Sequence, residues 1–342
     1  MTVIVYGHVT RAVPLTPPIY PKQLGVALFL FASGFTLARE RRPAAVALFK
    51  RLAQLWVYAF VFAAAITAVG AVNGSGLALS NYLPLAAGAN VVFDNFPANP
   101  TTWYIGTYIH IVVLWALWLR RVRVRMWMVA AALAIEIPIR ALLVATAGSY
   151  VAYMLFTNWA AVFLLGIARG SRGEDEPAGS AVPYIAAGIA GVLVWGVATT
   201  LLFAFDTTIP FMTLRGWPTG AGLLAASAAV SALYVSAAAI VFEATRRLSA
   251  PAIVRFVARN TTVIFIAHMP VVFALHPRLV AWHVGYAGRV IVQMAVCLVG
   301  LGCVSEAIRW VLDRSSTYAA LMRLSRRGGA AAASAPLMGL SR

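Results

Sequence analysis

The sequence predicts an all-α, polytopic membrane protein with about ten transmembrane helices. Three observations predict it. Of 342 residues, 62% are hydrophobic and only 11% charged, with a mean hydropathy of +0.84, which is more apolar than a soluble domain of this length needs. The apolar residues gather into windows of about 17–24, the length that crosses a hydrocarbon core. Basic residues crowd the ends of alternate windows, following the positive-inside rule.

Residues 1–13, MTVIVYGHVTRAV, read as the outer part of a first helix that looks cut roughly in half. They lack the basic start and small-residue cleavage site of a signal peptide. Nine full spans follow, at about 23–39, 52–72, 102–119, 126–145, 151–168, 181–203, 219–243, 260–275 and 289–312. The first of these ends at Arg39, Arg41 and Arg42, and the next starts after Lys50 and Arg51. Arg120, Arg121, Arg123 and Arg125 separate the third from the fourth. Arg169 and Arg172 follow the fifth, and Arg246, Arg247, Arg255 and Arg259 lie between the seventh and eighth. Arg309 and Arg314 close the ninth, with Arg323, Arg326, Arg327 and Arg342 beyond it.

All these clusters fall on one side, so the count predicts both termini in the cytoplasm. The opposite loops and the membrane interior hold only Arg11, Lys22, Arg140, Arg215, Arg278 and Arg289. The longest outer loop, about 73–101, is too apolar to hang free, and its Gly, Pro and Asn break any regular span. It is predicted to lie on or dip into the outer face. The organisation is therefore a transmembrane domain over 1–322 and a small, basic, disordered tail over 323–342.

The net charge of +17 follows membrane topology and does not predict a nucleic-acid partner. Cys297 and Cys303, six residues apart in one span, face different directions and predict neither a disulfide nor a metal site. No Walker-type or dinucleotide glycine loop is present, and no tightly bound cofactor is expected.

Ionisable groups inside spans are costly and mark pairing or function. His8 reads either as a general base, since neutral imidazole accepts a hydroxyl proton near pH 7, or as an interfacial histidine bonded to a neighbouring helix. His268 stands two residues before Pro270, which frees a backbone carbonyl. It reads as a packing residue bonded to that backbone or as a site residue. Glu136 and Arg140, four apart, share a helix face and can pair. They form a structural pair, or Glu136 orients a catalytic histidine. His110 is a weaker candidate, and His276 and His283 are placed in a short, solvated outer loop. The cations at 39–51 set topology, or they clamp a phosphate, which guanidinium binds bidentately.

Four stretches, taken in order, carry a resemblance. GVALFLFASGFTLARERR is similar to an "FFVLSGFLL…R" helix, and FKRLAQLWVYAFV to "RRLLRLYPLYL". TTWYIGTYIHIVVL and FTNWAAVFLLGIARG resemble "WFL…YL" and "FLLG" spans, and VARNTTVIFIAHMPVV a late "GR.S.GIYLIH.P" helix. Together they resemble the membrane-bound acyltransferase-3 family, integral-membrane O-acyltransferases of bacterial cell-surface glycans. The resemblance covers almost the whole chain.

The resemblance implies that His8 corresponds to the family's first-helix catalytic base and His268 to its late-helix histidine. Ser33, Gly34 and Phe35 correspond to the Ser-Gly-Phe motif, Arg39 to the basic position after it, and Trp103 to the tryptophan opening the fourth helix when the half-length first one is counted. It further implies a multi-pass protein of the bacterial inner membrane. The donor would be acyl-coenzyme A, with its phosphates on Arg39, Arg41, Arg42 and Arg51, and the acceptor a glycan or glycolipid. There are departures. The family's basic residue eleven positions before the first histidine would fall before Met1, and Gln54-Leu55-Trp56 replaces its tyrosine-proline. No stretch of these 342 residues resembles the family's soluble esterase-like fusion. Two other readings stand beside the enzyme: a transporter or flippase of lipid-linked sugars, and an inactive family member.

Overall fold

The computed structural model describes residues 1–9, 21–72, 86–92, 102–172, 182–201, 220–245 and 250–315. Among these residues every regular element is a helix. The elements are α1 (Thr2–Val9), α2 (Pro21–Ala38), α3 (Ala44–Val72), α4 (Trp103–Leu117), α5 (Met126–Thr146), α6 (Ser149–Met154) and α7 (Ala160–Gly170). There follow α8 (Val182–Leu201), α9 (Ala221–Thr245), α10 (Ala252–Arg259), α11 (Thr261–Ala281), α12 (Tyr286–Ala295) and α13 (Leu301–Arg314). Among the described residues, 5 helices are long and apolar enough to cross a bilayer: Ala44–Phe62, Met126–Thr146, Ala221–Thr245, Thr261–Ala281 and the continuous Tyr286–Arg314. Leu24–Ala38, Ala160–Gly170 and Val182–Gly191 are shorter apolar helices.

The tightest crossing joins α2 to α7. A Cβ placed on Gly34 would collide with the carbonyl oxygen of Phe163, and one on Gly166 with that of Phe31. A Cβ on Gly170 would collide with the carbonyl of Phe35. Small residues four apart, Gly166 and Gly170, let two backbones touch, which is how helices associate in lipid, where burial gives no hydrophobic drive. On the other side of α2, a Cβ on Gly25 would collide with the side chain of Ile4, so α1 lies tight against it. Val5 and Val9 of α1 share a second core with Ile264, Ala267 and Cys297. Thus α1 bridges the glycine-packed half of the bundle and the half built from α11 to α13.

The predicted span at 151–168 is interrupted. Helix α6 stops at Met154, a 3-10 turn covers Phe156–Asn158, and α7 restarts at Ala160. A helix can break inside a membrane only where its freed backbone groups find partners. Here Thr107 donates to the Met154 carbonyl, and Trp159 Nε1 donates to Tyr153 O at 3.0 Å. Arg140 donates to Asn158 Oδ1 and, at 3.2 Å, to Asn158 O.

The last span carries a π-helical turn at Val296–Gly300, a one-residue bulge. Helix α11 runs through Ala281, so His276 is helical and not in a loop, while His283 occupies the following turn with φ 55°. The short helix α10 was not expected. Its end is clamped to α13, because Glu306 pairs with Arg259 at 2.6 Å and with Arg309 at 3.2 Å and accepts from Asn260 at 2.9 Å. Of the long outer loop, residues 86–92 pack onto α4. Asn90 is fully buried and donates to Thr102 O at 2.9 Å. The rest of that loop, Arg11, Arg215, Arg246, Arg247 and the basic tail at 323–342 lie outside the described residues.

Candidate active site

The two histidines implicated by the sequence, 260 positions apart, meet: the rings of His8 and His268 lie 5.0 Å apart between centroids. Helix α1 delivers His8 in its last turn, held in place by the Gly25 contact and the shared core with α11. His268 is fully buried two turns into α11. Its Nδ1 lies 2.7 Å from Phe265 O and 3.1 Å from Ile264 O. Both partners are acceptors, so Nδ1 carries the hydrogen and donates. Pro270, which has no N–H, would make no helical bond to the carbonyl of Ile266, so the Phe265 and Ile264 carbonyls are not the one that the proline was expected to supply. In the neutral ring Nε2 is then a lone-pair acceptor, and it is buried without a hydrogen-bond partner. The π-turn is adjacent, with Cys297 Sγ 3.9 Å from the His268 carbonyl oxygen.

Two cavities approach this pair from opposite ends of α11. One, about 260 Å³, is lined by Phe29, Ser33, Arg51, Tyr104, Tyr108 and Phe265. The other, about 330 Å³, is lined by His8, Phe273, His276, Tyr286, Arg289 and Gln293. On α11 the first cavity touches Thr262 to Ile266 and the second Met269 to Pro277, with His268 between. An aromatic layer closes the first cavity toward the histidines. Phe265 lies 4.9 Å from Tyr104 and 5.9 Å from His268, and Phe29 lies 5.4 Å from Tyr104.

The Ser-Gly-Phe stretch divides its labour. Ser33 lines the first cavity, with its hydroxyl donating to Phe29 O at 2.8 Å. Gly34 makes the α7 crossing. Phe35 packs on Phe242 at 4.7 Å and carries the Arg39 guanidinium 4.3 Å above its ring. Trp103, buried at the start of α4, packs on Tyr153 at 5.0 Å and does not reach the histidines.

The four arginines proposed as a phosphate clamp prove unequal. Arg51 faces the first cavity, donates to the Tyr108 hydroxyl at 3.3 Å, makes only a long ion pair with Glu40 at 3.9 Å, and has a buried Nε without a hydrogen-bond partner. Arg42 is held bidentately by Glu40, at 2.7 and 2.6 Å. That hydrogen bond holds the Glu40 carboxyl down to about 2 and raises Arg42 in turn. Arg39 donates to Gly170 O at 3.4 Å, capping the end of α7, and Arg41 is exposed.

Glu136 does not join the histidines. It pairs with Arg140 at 2.5 Å and accepts from Ser231 at 2.9 Å and from the Ala161 amide at 3.2 Å. Arg140 also donates to Ser227 O and Ser231 Oγ, both at 2.6 Å. The pair is a buried cross-brace of α5, α7 and α9, the structural alternative raised by its spacing. His110 lies against Phe156, 5.8 Å between rings, and lines neither cavity. Sequence reasoning missed Tyr104 and Tyr108. Their four-residue spacing, one helical face, was the available signal.

No curated protein and no solved structure matches the chain. The sequence profile of one family, described as an acyltransferase domain, matches residues 1–305. That match takes in α1, which brings His8, and α11, which brings His268, together with the walls of both cavities and the glycine crossing of α2 with α7. A bundle of apolar helices built around this pair, matched over most of its length, places the chain in the acyltransferase-3 family.

Proposed function

We propose that the protein is a multi-pass O-acyltransferase of the bacterial inner membrane, moving an acyl group, acetyl in the simplest case, from acyl-coenzyme A to a hydroxyl of a glycan or glycolipid. The observation that carries this reading is the His8–His268 pair standing between two cavities, one of which presents Arg51. In the ten-span reading both termini and the arginine-rich end face the cytoplasm, where the donor is made. The donor phosphates then meet Arg51 first, with Arg41 and Arg39 at the rim, and the pantetheine arm follows the cavity toward Phe265.

The acceptor hydroxyl reaches His8 from the second cavity. His8 takes its proton, and the oxygen attacks the thioester carbonyl. Collapse of the tetrahedral intermediate breaks the C–S bond, and the departing thiolate takes the proton back from His8. His268, with a lone pair at Nε2, accepts from the His8 ring as it becomes cationic and keeps it aimed. A neutral, buried acceptor suits that work, because an imidazolium needs a partner in a low-dielectric site.

The test uses the full chain in liposomes with radiolabelled acetyl-coenzyme A and a glycan acceptor. Label should appear on the glycan, and His8→Ala should lower the rate by about 10²–10⁴-fold while the protein stays folded. Glycan movement across the liposome membrane without acylation would instead establish a transporter.

A further inference from the structure

The second cavity carries more than the histidine. Arg289 and Gln293 stand one helical turn apart on α12, and both line it. Gln293 is only 1% exposed. Its Nε2 donates to Arg289 O at 3.0 Å, which leaves Oε1 as its remaining polar atom, buried without a partner. Arg289 Nε is also buried without a partner, and among the described residues no carboxylate pairs with its guanidinium. Arg289 is half-buried, but its Nε is shut in beside Val272, Phe273 and Val290, and a donor closed off in this way costs free energy until an acceptor reaches it.

The two orphaned atoms specify a ligand by complementarity. Arg289 Nε–H needs an anionic acceptor of hydrogen bonds, and Gln293 Oε1 needs a donor. A sugar that carries both an acidic group and hydroxyls satisfies both. The same cavity holds His8, which needs a hydroxyl beside it. Resting on the acyl-transfer reading above, we infer that Arg289 and Gln293 anchor an anionic sugar, a uronate or a sugar phosphate, and that the anchored acid fixes which of its hydroxyls meets His8.

The experiment reads binding in the absence of any acyl donor, so it stands apart from the test of acyl transfer. Full-length protein in phosphatidylcholine nanodiscs is titrated with glucuronic acid, glucose 6-phosphate and glucose. At least one acidic sugar should bind about tenfold or more tightly than glucose, as expected for a charge-assisted contact, and the arm that does so identifies the acid. Arg289→Gln should erase that preference, bringing the acidic sugars to the affinity of glucose. Gln293→Glu places a carboxylate one turn from Arg289 and should erase it as well, by occupying the guanidinium internally. Equal binding of all three sugars, or a preference that survives Arg289→Gln, overturns the inference. Acid-selective binding lost in Arg289→Gln upholds it even in a protein that transfers no acyl group.

Discussion

Gly34→Ala puts the geometry of the bundle to a quantitative test. The new methyl would sit 3.0 Å from Ile167 N and 3.3 Å from Gly166 C, and closer still to the Phe163 carbonyl oxygen. A relaxed carbon–oxygen contact needs about 3.3–3.6 Å. All these neighbours are backbone and cannot rotate away, so α2 and α7 must part by roughly 1 Å. A gap of that size forfeits about a quarter to a half of each dispersion contact across the crossing. Overpacking of this kind costs about 1–3 kcal/mol. Alanine returns about 1 kcal/mol through its higher helix propensity. The net loss is about 0–2 kcal/mol.

The catalytic cost is larger, because Ser33 and Phe29, on the same helix, line the first cavity. A misplacement of about 1 Å is worth about 10²-fold in rate. Gly188→Ala in α8 is the control, since its Cβ would meet only Ser236 Cβ at an ordinary 3.4 Å. Thermal unfolding followed by tryptophan fluorescence should show Gly34→Ala destabilised and Gly188→Ala unchanged or stabilised. Acyl transfer should fall only in the first. A Gly34→Ala protein as stable and as fast as the parent would show that α2 and α7 do not touch as described.

His268→Ala should lower kcat by about 10–100-fold with little change in KM, because its proposed work is confined to the charged state of His8; an equal change in KM alone would remove it from the chemistry. Arg140→Met should cost about 3–5 kcal/mol by leaving Glu136 buried and unpaired, while Glu136→Gln combined with Arg140→Met should recover much of that, and turnover of the folded fraction should be unchanged in both. Glu40→Gln should free Arg42 and lower the KM for the acyl donor. Because the Glu40 pKa is depressed from 4.5 to about 2, its stabilisation is present above pH 4.5 and lost as pH falls toward 2, so unfolding midpoints of parent and Glu40→Gln should converge over that window.

The helices were legible because hydropathy needs only composition, and each predicted window contains helix. The break at Leu155–Trp159 was not, because a window average hides one asparagine. What permits the break is Thr107 and Arg140, which come from other helices. Gly166 and Gly170 were visible as small residues four apart, but their partners Phe31 and Phe35 belong to a helix more than a hundred residues earlier. His8 and His268 were linked through the family resemblance, since nothing local joins residues so far apart. The unequal arginines could not be ranked from charge: Glu40 holds Arg42 at 2.6 Å but reaches Arg51 only at 3.9 Å, and Tyr108 turns Arg51 to the cavity. From sequence Arg289 is one of the few cations of the outer side and interior, and Gln293 gives no signal, because an orphaned atom is visible only once its surroundings are.

The broken span also sets an order of assembly. Thr107 and Arg140 precede the break in the chain, so its loose carbonyls can be claimed as soon as it leaves the ribosome. Ser227 and Ser231, which complete the shell around Arg140 and Glu136, arrive about ninety residues after that pair, with α9. Until then a charged pair lies in lipid only half-solvated. The brace around this pair therefore closes only with α9, and a nascent chain halted before residue 221 should be a substrate for membrane quality control rather than a stable intermediate.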